Sequence, residues 1–197
     1  MPGTLEAYER ALSAGVGTVE VDVRSGPDGW AAQHDPGPPW GASLAAIADL
    51  AAAADARLML DLKEIGGEED ALGVVLERVP AERVIVSTLE DESVAAVRRA
   101  FPDLPVGLSL GRAQPERRVR TRLSEAFPAR RARACGATFL SVNRGFVRFG
   151  ILRRAPLPVY LWTVDDEAEL RRYLRDRRLR GLVTNRPIRA LELLREG

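Results

Sequence analysis

The chain has 197 residues, 46% of them apolar and 29% charged, and a formal net charge of +1. This length allows one substantial core and a single domain over residues 1–197, and the near-neutral balance gives no case for nucleic-acid binding. The single cysteine, Cys135, excludes an internal disulfide framework and reads as a small core residue, while no run of 18 apolar residues exists to insert in a membrane. The first twenty residues contain Glu6, Glu9, Arg10 and Glu20 rather than an apolar leader core, so the expected compartment is the cytoplasm.

A helical pattern over Leu5 to Ala14, started by Thr4 with Glu6 and stopped by Gly15, precedes a strand-like run at Thr18–Val23. The turn signal Gly26-Pro27-Asp28-Gly29, followed by Trp30–Gln33, predicts a short hairpin excursion before His34. A helix over Ser43 to Ala54 leads to a strand at Leu58–Leu62, and one over Glu68 to Arg78 leads to Val84–Ser87. Helices over Glu90 to Phe101 and Thr121 to Cys135, the latter ended by Gly136, precede strands Val106–Leu110 and Thr138–Val142. Helices over Phe146 to Arg154 and Asp165 to Arg175 precede Val159–Thr163 and Leu182–Thr184, with Gly181 expected between helix and strand. Pro187 fits the first position of a closing helix to Arg195.

Strands that alternate with helices indicate βαβ units on a parallel sheet. Seven strands and eight helices, beginning with a helix, predict an α/β fold: a (β/α)8 TIM-type barrel without its first strand. An open parallel sheet covered on both faces is the alternative. A barrel short of one strand has two unpaired edges, which predicts lower stability or self-association through the open seam. Between Arg112 and Arg133, eight arginines face two glutamates; this run reads as a solvated helix and loop, or as an anionic-ligand surface.

The chemistry-bearing residues concentrate early. Lys63 is the only lysine and His34 the only histidine. In Val19-Glu20-Val21-Asp22-Val23 and Leu58-Met59-Leu60-Asp61-Leu62-Lys63 the charges share one strand face and most apolar residues the other. If Val and Leu pack outward on helices, Glu20, Asp22, Asp61 and Lys63 line the lumen near the carboxyl ends of their strands, where barrel enzymes place their sites. Three carboxylates in one lumen repel each other, and a hard divalent cation, Mg²⁺ or Ca²⁺, relieves that conflict. Lys63 suits a phosphate oxygen, or alternatively forms a plain salt-bridge network with these acids. His34 suits the general acid for a departing alcohol, or is an exposed loop histidine without a role. A Schiff base on Lys63 is a remote third reading, because the neighbouring acids keep the amine protonated.

These segments, with Thr4-Leu5-Glu6-Ala7-Tyr8, Asp28-Gly29, His34-Asp35, Leu161-Trp162-Thr163-Val164-Asp165 and Gly181-Leu182-Val183-Thr184-Asn185-Arg186-Pro187, resemble the glycerophosphodiester phosphodiesterase family over nearly the whole chain. The resemblance implies a barrel that hydrolyses a small-molecule glycerophosphodiester to an alcohol and glycerol 3-phosphate with a divalent metal. It implies metal ligation by Glu20, Asp22 and Asp61, an acid/base role for His34, and phosphate contact by Lys63. Trp162 falls where the family places an aromatic residue against the glycerol; an inward barrel-core ring is the other reading. The sequence begins inside the family's second motif, as Met1-Pro2-Gly3-Thr4, without the preceding His-Arg-Gly strand. Either the natural start lies upstream or the chain is a shortened relative. Asp61 stands for the usual glutamate, and only a short segment from Gly37 to Ala42 replaces the insertion that shapes the substrate cover. The expected activity is therefore phosphodiester hydrolysis, in impaired form if the first histidine is lacking. A binding or regulatory module without turnover is the alternative.

Overall fold

The computed structural model describes residues 3–111 and 128–196. Helix α1 (Leu5–Ser13) is capped by the Thr4 hydroxyl, which accepts from the Ala7 amide at 3.3 Å. Strand β1 (Thr18–Gly26) turns through Pro27-Asp28 into β2 (Gly29–Ala32), with Gly26 opposite Gly29. Gly29 has φ of +108°, a conformation that a side chain would oppose. Then follow α2 (Leu44–Ala53), β3 (Arg57–Leu62), α3 (Glu68–Leu76), β4 (Val84–Thr88), α4 (Asp91–Ala100) and β5 (Val106–Leu110). The second half contains α5 (Ala129–Cys135), β6 (Phe139–Asn143), α6 (Ile151–Arg154), β7 (Val159–Trp162), α7 (Glu167–Tyr173), β8 (Leu179–Leu182) and α8 (Pro187–Arg195).

The strands form one curled sheet in the order β2-β1-β3-β4-β5-β6-β7-β8. Every pair is parallel except the β1–β2 hairpin. The seven parallel strands are those expected from the sequence, and among the described residues no ladder joins β8 back to β1. The hairpin does more than carry the chain toward His34. Its return strand β2 lines the edge of β1 away from β3, so it covers part of an edge that would otherwise be unpaired. The core lies between the outer face of the sheet and the helices. Val19, Val21 and Val23 of β1, Leu58, Leu60 and Leu62 of β3, and Leu108, Leu140 and Leu161 farther round are all buried there. Cys135 is buried in the same core, in agreement with its reading as packing.

Three boundaries differ from expectation. Gly181 is not a helix end but lies inside β8 opposite Tyr160; a Cβ there would meet the Tyr160 ring at 2.9 Å, so a close ring approach, not a turn, accounts for the glycine. The run Phe146 to Arg154 is not one helix: a 3₁₀ segment, Arg144–Phe149, ends at Gly150, whose φ of +73° separates it from α6. The helix expected from Thr121 is described only from Ala129, and most of the arginine-rich run from Arg112 lies outside the described residues. Within its described part, Arg131 donates to Asp91 Oδ1 at 2.7 Å and to the Leu89 carbonyl.

Candidate active site

Because the valines of β1 and the leucines of β3 pack against helices, the residues between them turn into the curl of the sheet. Asp22 lies directly opposite Asp61 in the β1–β3 ladder, and Glu20 opposite Met59. Glu20, Asp22 and Asp61 each offer a carboxylate oxygen within 4.8 Å of the others. Lys63 Nζ is 2.6 Å from Asp22 Oδ1 and also donates to Asp61 Oδ2. From β4, the Ser87 hydroxyl donates to Asp61 Oδ1 at 2.7 Å. Glu20 and Asp22 of β1, Asp61 of β3 and Lys63 just past it therefore meet in one cluster, and the salt-bridge reading of Lys63 describes its contacts.

The cluster is electrostatically loaded. Burial first, then the Asp22 and Asp61 carboxylates, push the Glu20 carboxyl well above the ordinary range. Burial raises Asp61 too, partly offset by Lys63 and Ser87. Burial alone would favour a neutral Lys63 amine, but Asp61 and Asp22 outweigh it and hold its pKa above the ordinary lysine value. A protonated amine is no nucleophile, which removes the Schiff-base reading. Tyr8 of α1 sits close enough to be affected: burial and the Glu20 and Asp22 charges push its phenol up.

His34 is placed differently. It follows β2 at the rim, with its side chain 70% exposed and Nδ1 2.9 Å from Asp35 Oδ1. The rim itself is fixed. Arg24 Nε donates to the His34 carbonyl at 2.9 Å, and Arg24 Nη1 donates to Glu64 Oε1 at 3.2 Å. The Ser25 amide and hydroxyl both donate to Glu64 Oε2. Glu64 thus clamps the hairpin to the loop that starts at Lys63. Burial would raise the Glu64 carboxyl, but the bonds from Ser25 and Arg24 outweigh it and hold it below the ordinary value.

Below the charges the curl is filled by apolar side chains. Met59, Ile85 and Phe139 form a small buried cluster with Tyr160 against it, and the Phe139 and Tyr160 rings meet edge to face at 5.0 Å. Gly107 leaves the room for Phe139, since a Cβ there would come within 2.1 Å of the ring. Trp162 is two residues beyond Tyr160 on the same strand face, opposite Asn143, and its buried Nε1–H has no hydrogen-bond partner. After β7, Asp165 accepts from the Thr184 hydroxyl and from the Asn185 amide and side chain, so the Trp-Thr-Val-Asp and Thr-Asn-Arg-Pro segments hold each other. Sequence reasoning missed Ser87, Glu64 and the electrostatic neighbour Tyr8. Ser87 had a signal, a polar residue at the alternate position to Ile85; Glu64 had none, because its partners lie about forty residues away.

The glycerophosphoryl diester phosphodiesterase family model matches residues 42–189. The chain belongs to that family. Its members are phosphoric diester hydrolases that depend on a divalent metal. Solved structures of similar fold include a glycerophosphodiester phosphodiesterase from Parabacteroides distasonis, with a TM-score of 0.76 at 17% identity over 98% of this chain and 90% of that one. A phosphodiesterase from Oleispira antarctica, in complex with the product sn-glycerol-3-phosphate, gives 0.76 at 16% identity over the same shares. One from Agrobacterium tumefaciens gives 0.71 at 18% identity, covering 99% of this chain and 93% of that one. No curated protein is matched significantly. The donor set fits the family's metal: three convergent carboxylates, Glu20 and Asp61 raised first by burial and then by acidic neighbours, are an all-oxygen site whose repulsion a hard cation would relieve.

Proposed function

We propose that the chain hydrolyses glycerophosphodiesters to an alcohol and glycerol 3-phosphate at the Glu20–Asp22–Asp61 cluster. The observation that carries this reading is the convergence of those three carboxylates within 4.8 Å, in a chain of this family. Glu20, Asp22 and Asp61 would hold Mg²⁺ or Ca²⁺, which when bound supplies Lewis-acid polarisation of a phosphodiester oxygen. Lys63 offers its ammonium to a phosphate oxygen, and Ser87 keeps Asp61 oriented. Water would add its oxygen to phosphorus and the bond from phosphorus to the alcohol oxygen would break; His34 would supply the proton that the alcohol takes, and the proton lost by the water would pass to solvent, from which the exposed His34 is reprotonated. Trp162 gives the glycerol arm an apolar face.

A second reading is a binding module that holds phosphodiesters without turnover. It is favoured by the solvent-facing ring of His34, whose partner is Asp35 rather than the cluster. Assay of glycerol 3-phosphate release against saturable binding separates the two: turnover removes the module, and binding without product removes the hydrolase.

Among the described residues β8 and the part of β1 that β2 leaves uncovered have no further strand partner, which supports self-association; sedimentation at increasing concentration is the test, and a monomer at every concentration would contradict it. No described helix is long and apolar enough to cross a membrane, and a single buried cysteine suits the cytoplasm as the proposed location.

A further inference from the structure

The wall of the lumen across from the acids holds two hydroxyls with no assigned role. Ser109 of β5 and Ser141 of β6 are directly paired in the ladder. Strand alternation gives them the inner face: Leu108, Leu110, Leu140 and Val142 belong to the outer core, whereas Gly107 and Phe139, two residues earlier, meet inside the curl. Both serines are 3% exposed, on the side of their strands that faces the curl. Ser87, the third inward serine, already donates to Asp61. Near this wall, on the inner face of β7, Trp162 has a buried indole N–H without a hydrogen-bond partner, a donor that a folded protein normally satisfies.

The lumen is thus divided by charge. One wall carries three carboxylates and an ammonium; the other carries neutral donors and acceptors above a floor made by the Phe139 and Tyr160 rings. A phosphodiester has the same division, a charged phosphoryl centre joined to an uncharged polyol. We infer that Ser109 and Ser141 form the specificity wall for the polyol arm of the substrate, exchanging hydrogen bonds with its hydroxyls while the phosphate lies toward Lys63. This rests on the hydrolase reading and adds to it the residues that select a hydroxyl-bearing arm. Hydroxyls can both donate and accept, so a serine pair adapts to a vicinal diol. An arm that lacks the hydroxyls leaves the pair unsatisfied, and such sites reject the poorer analogue more strongly than apolar pockets do.

The test is calorimetric binding of sn-glycerol 3-phosphate and of inorganic phosphate to the full chain in Mg²⁺. The proteins compared are wild type, Ser109→Ala, Ser141→Ala and the double variant, with thermal unfolding of each. The expected result is a wild-type preference for glycerol 3-phosphate that falls about tenfold in the double variant, with phosphate affinity unchanged. Unfolding temperatures should stay level; a purely structural role of the serines would lower them. An unchanged preference in variants of a chain that turns over glycerophosphodiesters overturns this inference alone. A wild-type chain that binds neither ligand and shows no turnover overturns the hydrolase reading and this inference with it.

Discussion

The two walls of the lumen are built on the same strand alternation but held by different forces. On β1 and β3 the inward residues are Glu20, Asp22, Asp61 and Lys63, and the last three are linked by ion pairs. On β5, β6 and β7 the inward residues are Gly107, Ser109, Phe139, Ser141, Tyr160 and Trp162, held by ring packing, with the buried Trp162 N–H unmatched. The first wall is a set of charges whose balance depends on what it binds. The second is a shape whose integrity depends on small residues leaving room for rings. Perturbing the first should therefore give effects that respond to metal and pH, and perturbing the second should give effects that do not.

The largest effect is expected at the rim. His34→Ala should slow turnover by about 10²–10⁴-fold while leaving the unfolding temperature where it was, because the side chain is 70% exposed; steady-state kinetics beside thermal unfolding check it. Lys63→Met leaves Asp22 and Asp61 facing each other without their cation. It should cost about 3 kcal/mol in urea unfolding with chelator present, and addition of Mg²⁺ or Ca²⁺ should recover much of that loss. Gly107→Ala on the opposite wall forces a methyl into the Phe139 ring and should cost about 2 kcal/mol, equal with and without metal. If Gly107→Ala were rescued by metal as Lys63→Met is, the division between the walls would fail.

The smallest effect concerns the Glu64 clamp. Its carboxyl titrates lower in the folded chain than in the unfolded one, so its contribution is complete above the ordinary glutamate value and fades as pH falls through the lower folded value. Glu64→Gln should lower stability by about 1 kcal/mol at neutral pH, an amount discounted for its partial exposure, and the gap should close in acid. Denaturant titrations of both proteins along a pH series measure it. A gap that widens in acid would mean that the clamp does not act through the ionised carboxylate.

The charged wall was legible in the sequence because Val-Glu-Val-Asp-Val alternates cleanly, and a strand with alternating character can orient its charges in only one way. The neutral wall was not. Strands β4 and β5 are buried along their whole length, so Ser109 sits in a near-continuous apolar run where periodicity gives no face, and Ser87 is marked only by its alternation with Ile85. Gly181 was misjudged for a related reason: a glycine after a helix reads as its stop, and only the position of Tyr160 reveals a close ring approach. The hairpin was readable from its turn residues, but its pairing on the outer edge of β1 depends on which edge the sheet leaves open. The identity of the chemistry came from the order of motifs rather than from any one residue.

The most direct measurement is release of glycerol 3-phosphate from glycerophosphocholine by the 197-residue chain and by Glu20→Gln, each with Mg²⁺, with Ca²⁺ and with chelator. The acidic cluster as a metal-dependent hydrolytic centre predicts turnover by the unaltered chain that chelator stops and that Glu20→Gln lacks. Turnover that survives both the chelator and the substitution, or a folded, metal-binding chain that releases no product, would contradict it.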